Sequence, residues 1–213
     1  MGVLLKAVIL DYGKVLCAWP PPQGYQELSR IAGSNGKLLE DGYWRFRDAY
    51  DRGRIDGPAY WRLVAEASGI QISSSQIERL IDYDASLWIN VNRQMVKWAG
   101  ILKENGFKTA VLSNMPREIG RFLRQAGDWR SQFTYVCFSA EVGLAKPDAS
   151  IFHLCLEKLQ TRPREALFID DVEANVTAAR ALGLHALWFE SMERLRTDLR
   201  PFNLPPIPSA NVA

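Results

Sequence analysis

From residue 93 onward, helix-length amphipathic stretches alternate with strand-length apolar runs, and this alternation leaves the chain very few architectures. Helical spacing is predicted over 93–104, 117–126, 149–159 and 174–182, and strands over 107–112, 133–138, 166–169 and 186–189. An apolar run at 3–10 supplies a first strand. Repeated βα units imply an α/β fold, a doubly wound, Rossmann-like parallel sheet with helices on both faces. Four runs end at or near residues able to do chemistry: Asp11 in LDYGKVL, Ser113 in VLSNM, Lys146 in GLAKP, and Asp170 with Asp171 in LFIDDVEAN. Parallel sheets bind ligands at the carboxyl ends of their strands, so these groups are expected to converge on one edge.

The alternation is interrupted once. WPPPQG at 19–24 reads as a stiff, proline-rich linker. From 25 to 92 no strand-length run occurs, but helical patterns recur through Leu28 and Ile31, Tyr43, Trp44, Phe46 and Tyr50, Tyr60, Trp61, Leu63 and Val64, and Ile77, Leu80 and Ile81. The expected organisation is a core of 1–18 and 93–200, a small helical cap at 19–92, and a tail at 201–213 that wraps the surface or frays. A chain of 213 residues with 47% hydrophobic content can bury one such core but is short for two independent domains.

Twenty-six basic and 24 acidic residues are mixed along the chain, so no basic arm argues for nucleic acid. No apolar run reaches membrane-spanning length. The opening MGVLLKAVILDYG carries Lys6 and Asp11 and is read as a strand, not a signal peptide. Cys17, Cys137 and Cys155 lack metal-type spacing and are expected as buried thiols in a cytoplasmic protein, monomeric or homodimeric. His153 and His185 have no partner spacing for metal or triad chemistry and are read as structural.

Each chemical signal has an ordinary reading beside the functional one. Asp11 before Gly13 suits a nucleophile, a metal ligand or a turn residue. Asp170 and Asp171 at a buried strand end repel unless a cation or proton sits between them, and magnesium, which takes hard oxygen ligands, is the natural neutraliser; alone, the pair could equally be a helix N-cap. Ser113 and Asn114 precede a predicted helix, where hydroxyl and backbone N–H groups can hold an anion or simply cap it. Lys146, fixed by Pro147, could be plain surface charge. Asn175 either fixes the acidic loop or merely sits on its helix's first turn. The joint occurrence in order raises the functional reading.

Over essentially its whole length the chain resembles the haloacid dehalogenase superfamily. That family's motifs are an apolar strand with D-x-D-x-[TV]-[LV], a strand ending in Ser or Thr, a Lys, and a strand ending in paired acids; Asp11, Ser113, Lys146, Asp170 and Asp171 occupy these places. The resemblance implies an aspartyl-phosphate mechanism with Asp11 as nucleophile and Mg²⁺ held by Asp11, the Gly13 carbonyl and Asp171, supported by Asp170 directly or through water. It also implies Lys146 and Ser113 gripping the phosphoryl oxygens of a small phosphorylated substrate.

Position 13 departs from that pattern. The family's phosphatases carry there a second Asp acting as general acid and base, help typically worth about 10²–10⁴ in rate. Lys14, a cap residue or an easily departing leaving group is expected to compensate. The DxGxVL form is similar to a branch that includes sugar-phosphate phosphatases, hence an expected sugar phosphate or similar metabolite. Rival readings are a catalytically weak binding protein and a metal-independent 2-haloacid dehalogenase. The cap is expected to select the substrate. Asn114, Trp19, Arg45 and Arg47 are its candidate binding residues, although most arginines of that stretch are expected to be solvated and Tyr43, Trp44 and Phe46 to be core.

Overall fold

The computed structural model describes residues 4–34 and 36–209. Five strands, β1 (Ala7–Leu10), β2 (Lys108–Ser113), β3 (Tyr135–Phe138), β4 (Ala166–Asp170) and β5 (His185–Trp188), form one sheet in the order β3-β2-β1-β4-β5, with every neighbouring pair parallel. β1 reads AVIL and is buried throughout, as a central strand covered on both faces must be. Strand alternation sends Val8 and Leu10 into one core and Ala7 and Ile9 into the other. The chain leaves β1 for β2 and β3 on one side and returns to β4 and β5 on the other, so the topological switch point lies between β1 and β4.

Among the described residues ten α-helices accompany the sheet: α1 (Pro22–Ala32), α2 (Gly36–Asp51), α3 (Gly57–Ala67), α4 (Ser74–Ser86), α5 (Arg93–Glu104), α6 (Arg117–Gln125), α7 (Ser139–Val142), α8 (Ala149–Lys158), α9 (Glu173–Ala181) and α10 (Met192–Asp198). Met95, Trp98 and Leu102 of α5 and Ile119 and Leu123 of α6 cover one face of the sheet. Ile151, Phe152 and Cys155 of α8 and Val176 and Ala179 of α9 cover the other. The sheet is therefore doubly wound.

The sequence reading and the structure differ at several edges. The first strand begins at Ala7, and the expected extension to residue 3 reaches outside the described residues. The strand expected from 133 begins at Tyr135, because Trp129–Gln132 forms a 3₁₀ turn that delivers Phe133 into the core. The proline-rich stretch is not all linker. Pro22 opens α1, where its fixed φ suits the first turn and its missing N–H has no partner to lose. α7 and α10 are too short to give a periodic signal. The tail wraps the core: the indole N–H of Trp98 donates to Pro205 O at 2.8 Å, and Ile207 is buried. All three cysteines are free and buried, and among the described residues no helix is long and apolar enough to cross a membrane.

Helices α1–α4 form a separate layer with its own cluster around Leu28, Tyr43, Tyr50, Tyr60, Trp61 and Leu80. Local chemistry starts these helices cleanly. Asp56 accepts the Ala59 N–H at 2.8 Å ahead of α3, and Ser73 and Gln76 form a reciprocal capping box at α4. The layer meets the sheet domain where α4 packs on α6 and around the end of α2. There Arg52 Nη1 donates to Asp148 at 2.7 Å, the Ser139 hydroxyl donates to Asp51 O, and Gly57 N donates to Glu118 Oε1 at 2.8 Å. Gly53 makes the turn at φ +68°, and a Cβ there would lie 3.0 Å from Ala140 Cβ and 3.1 Å from its carbonyl oxygen. Gly53→Ala combines a left-handed backbone with this close approach and is expected to lower stability by about 1–3 kcal/mol, read as a shifted urea midpoint at unchanged m-value.

Candidate active site

Strand order brings the acidic groups together. Asp11 follows β1 and its N–H donates to Ile169 O of the adjacent β4 at 2.9 Å, so the first turn is tied to the strand that ends in Asp170. Lys146, from the loop between α7 and α8, inserts between the two: Nζ donates to Asp11 Oδ1 at 2.7 Å and to Asp170 Oδ2 at 2.6 Å. All three side chains are buried. Burial alone would depress the lysine, but the flanking carboxylates override it and hold the ammonium above its ordinary value. Burial and the neighbouring Asp170 push Asp11 up to about 7 against the pull of Lys146.

Asp170 is saturated by protein donors. Besides Lys146, the Val172 N–H donates to Oδ1 at 2.8 Å and Asn175 Nδ2 reaches both oxygens at 3.1 and 3.2 Å. Of the two readings open for Asn175, the structure takes the one that fixes the acidic loop. Asp171 is looser: Lys14 Nζ stands 3.1 Å from its Oδ2. Burial raises the Asp171 carboxyl, with Lys14 opposing and Asp170 reinforcing the shift.

Carboxylate oxygens of Asp11, Asp170 and Asp171 lie within 4.8 Å of one another. The Gly13 carbonyl accepts the Val15 N–H at 2.6 Å and retains a second lone pair. Three carboxylates faced by two lysines leave a net negative site made only of hard oxygen donors, a set that fits a magnesium-type cation and not a thiophilic one.

These groups open into a cavity of about 320 Å³ between the sheet edge and the α1–α4 layer, whose lining includes Asp11, Gly13, Ser113, Asn114, Lys146 and Asp171. Ser113 ends β2 and reaches it directly. Asn114 also lines it, but its side chain clips the lysine loop: Nδ2 donates to Lys146 O at 2.8 Å and Oδ1 accepts Lys146 N–H at 2.9 Å. The opposite wall is aromatic. Trp19 stacks on Trp44 at 5.3 Å and 12° and meets Trp88 edge-on at 5.5 Å. Trp44, expected in the core, is instead 38% exposed and lines the cavity, while Tyr43 is core as expected.

Arg47 lines the cavity but is buried, its Nε donating to Asp51 Oδ1 at 2.7 Å and its Nη1 lying 3.5 Å from Asp84 Oδ2. Arg45 is exposed, its guanidinium packed over Phe46, and is not among the lining residues. The sequence reading did not single out Asp51, Asp84 or Trp88. Helical periodicity marks a face but does not say which α2 residues meet α4 and the sheet edge.

This arrangement belongs to a class. The family model of the haloacid dehalogenase-like hydrolases matches residues 5–183, and the chain is a member of that family. It is 27% identical over 187 residues to a sesquiterpene phosphatase of Aspergillus oryzae, covering 88% of this chain and 91% of that one. Its fold matches a magnesium complex of a HAD family enzyme from Bacteroides thetaiotaomicron at a TM-score of 0.74 and 22% identity, over 92% of this chain and 98% of the other. It also matches the L-2-haloacid dehalogenase of Xanthobacter autotrophicus with chloropropionic acid covalently bound, at 0.67 and 19%, over 95% and 85%. The chain spans between 9% and 36% of the length of the first curated relatives it matches.

Because the folded-state value of Asp11 lies above its usual 3.8, the native protein holds that proton more tightly; the stability this supplies is present below the unfolded value and lost as pH rises through about 7. Asp11→Asn abolishes the ionisation and is expected to stabilise the metal-free protein at pH 8 by about 1–3 kcal/mol, with the gain shrinking towards pH 5. Thermal melts in EDTA at the two pH values test this.

Proposed function

We propose that this hydrolase cleaves phosphomonoesters with magnesium, through an aspartyl-phosphate on Asp11. The observation that carries the reading is the joint placement of Asp11, Lys146, Asp170 and Asp171 at the switch point of the sheet, with Ser113 on the neighbouring strand end. A cluster of three carboxylates is costly to bury, and a dehalogenase reading gives it no task, whereas phosphoryl transfer uses a cation beside the nucleophile.

Asp11, the Gly13 carbonyl and Asp171 would hold the magnesium ion, with Asp170 fixing the acidic loop around it. Bound there, the ion would offset the charge of the ester and of the transferring phosphoryl group. An Asp11 carboxylate oxygen attacks phosphorus and the bond to the leaving alcohol breaks. Lys146 and the Ser113 hydroxyl hold phosphoryl oxygens during transfer, and Asn114 keeps the lysine backbone in register. Water then attacks the same phosphorus, releasing phosphate and restoring the Asp11 carboxylate.

Helices α1–α4 would act as the cap, excluding water and meeting the leaving group with Trp19 and Trp44. The substrate class is a small phosphorylated metabolite. A sugar ring stacks on such a wall, and so does the apolar skeleton of a sesquiterpene, the class in the name of the Aspergillus relative.

Phosphate release from a panel spanning sugar phosphates and prenyl phosphates, with Mg²⁺ and with EDTA, tests the reading. Turnover is expected with magnesium, absent in EDTA, and absent in Asp11→Asn; Ser113→Ala should lower kcat/KM by about tenfold, one lost hydrogen bond to a charged group being worth about 1.5 kcal/mol. No ester turned over by folded protein, with chloride released from 2-chloropropionate, would transfer the assignment to dehalogenation.

A further inference from the structure

The space a Cβ would fill at position 13 lies beside Asp11 and the tryptophan wall of the cavity. A Cβ on Gly13 would stand 3.8 Å from Asp11 Oδ2, 3.8 Å from the Trp88 ring and 4.0 Å from the Trp19 ring, ordinary contacts in a permitted backbone conformation. An acid carried there would open into the same cavity that Asp11 lines. Lys14 is paired with Asp171, lies over the Trp19 ring and is not among the lining residues of the cavity. Arg47 and Arg52 line the cavity but do not give up protons. Asp48 is largely exposed and held by Arg52 Nε at 2.9 Å. Asp51 remains: it lines the same cavity as Asp11, Gly13 and Trp88, with 19% of its side chain accessible.

Charge and hydrogen bonding raise the proton affinity of this residue. Arg47 is one buried cation between two carboxylates, Asp51 and Asp84. Asp84 is buried and well served, accepting from the Tyr43 hydroxyl at 2.7 Å, Trp88 Nε1 at 3.4 Å and Arg47 at 3.5 Å. The Asp51 carboxylate receives Arg47 Nε alone among the described residues. With a single cation for two carboxylates, both acids hold a proton more readily than usual, and Asp51, with fewer donors, is the one that opens on the cavity. Burial, opposed by Arg47 and reinforced by Asp84 and Asp48, lifts Asp51 to about 6. Its position is also held: its carbonyl accepts the Ser139 hydroxyl, whose oxygen takes the Met115 N–H at 2.8 Å beside Asn114.

We infer that Asp51, supplied from the helical layer, is the general acid and base that stands in for the carboxylate missing at Gly13. The inference rests on the phosphomonoesterase reading. As the Asp11–phosphorus bond forms and the ester P–O bond breaks, the Asp51 carboxyl gives its proton to the departing oxygen, releasing the alcohol. The resulting Asp51 carboxylate then takes a proton from the water that attacks the phosphorus. The Asp11–O–P linkage breaks, phosphate leaves and both residues are restored.

The test compares two esters, 4-nitrophenyl phosphate, whose leaving group departs without a proton, and 2-phenylethyl phosphate, whose alkoxide needs one. Asp51→Asn is expected to lose about 10²-fold or more in kcat/KM on the alkyl ester and less than tenfold on the aryl ester. Adding Gly13→Asp to that variant should return at least tenfold of the alkyl activity, and Asp51→Glu should retain part of it. In the wild type the alkyl reaction should fade as pH rises and the acid ionises, a limb that Asp51→Asn removes. The charges facing this group are Arg47, Asp48 and Arg52 on and beside α2, Asp84 on α4, and Asp11, Lys146 and Asp171 across the cavity. Equal losses on both esters, or no loss on the alkyl ester, would overturn the assignment. Failure of the wild type to turn over either ester would instead remove the phosphomonoesterase reading, and this inference with it.

Discussion

The ammonium of Lys146 between the carboxylates of Asp11 and Asp170 is the contact on which the rest of the site depends. Parallel pairing of β1 with β4 sets two strand ends side by side, and each ends in a buried acid. Two such charges cannot share a dry pocket without a cation, since the desolvation of each adds to their mutual repulsion. Lysine meets the need from a loop rather than from a strand, so that loop must itself be held. Asn114 does so with two hydrogen bonds to the Lys146 backbone, and Arg52 reaches Asp148 two residues further on. The sheet edge, the lysine loop and the end of α2 are in this way one mechanical unit.

The second constraint is how the helical layer carries its own buried charge. Arg47, Asp51 and Asp84 sit under an aromatic roof, with the guanidinium 5.1 Å from the Tyr43 ring and 5.4 Å from the Trp88 ring. Aromatic faces stabilise a desolvated guanidinium, and Arg47 in turn keeps the acids from repelling one another. The network ends at the cavity, at Asp51. A layer built so places a buried polar network and a tryptophan wall on the cavity that Asp11 also lines. The layer touches the sheet domain both at the end of α2 and along α4, which packs on α6.

Asp11, Ser113, Lys146 and the Asp170–Asp171 pair were legible in the sequence because each sits beside a strand or helix boundary, and such boundaries follow from apolar run length and Pro or Gly placement. Their convergence was legible too, since strands of a parallel sheet all end on one edge. The opposing wall was less so. Trp44 and Arg47 lie three residues apart on α2 and carry similar local signals to Arg45, yet the first two face the cavity and Arg45 faces away. Asn114 appeared as a substrate contact from its place after β2, and only the position of the lysine loop shows its side chain bound to that loop. Pro22 looked like a linker because a proline inside a helix and one at its first turn are identical until the helix is located.

The sequence by itself determined the class of fold, the identity of the residues at the carboxyl edge and the absence of a second acid at position 13. These depend on interactions local to the chain: periodicity of burial, the turn after a strand, the residue type at a fixed offset. Only the tertiary structure decided which acids of α2 line the cavity with Asp11, which carboxylates Arg47 meets, and that three tryptophans line the cavity. Those outcomes depend on how α2 and α4 pack on each other and on the sheet, over separations of tens of residues, where side-chain direction is set by the partner surface and not by sequence neighbours.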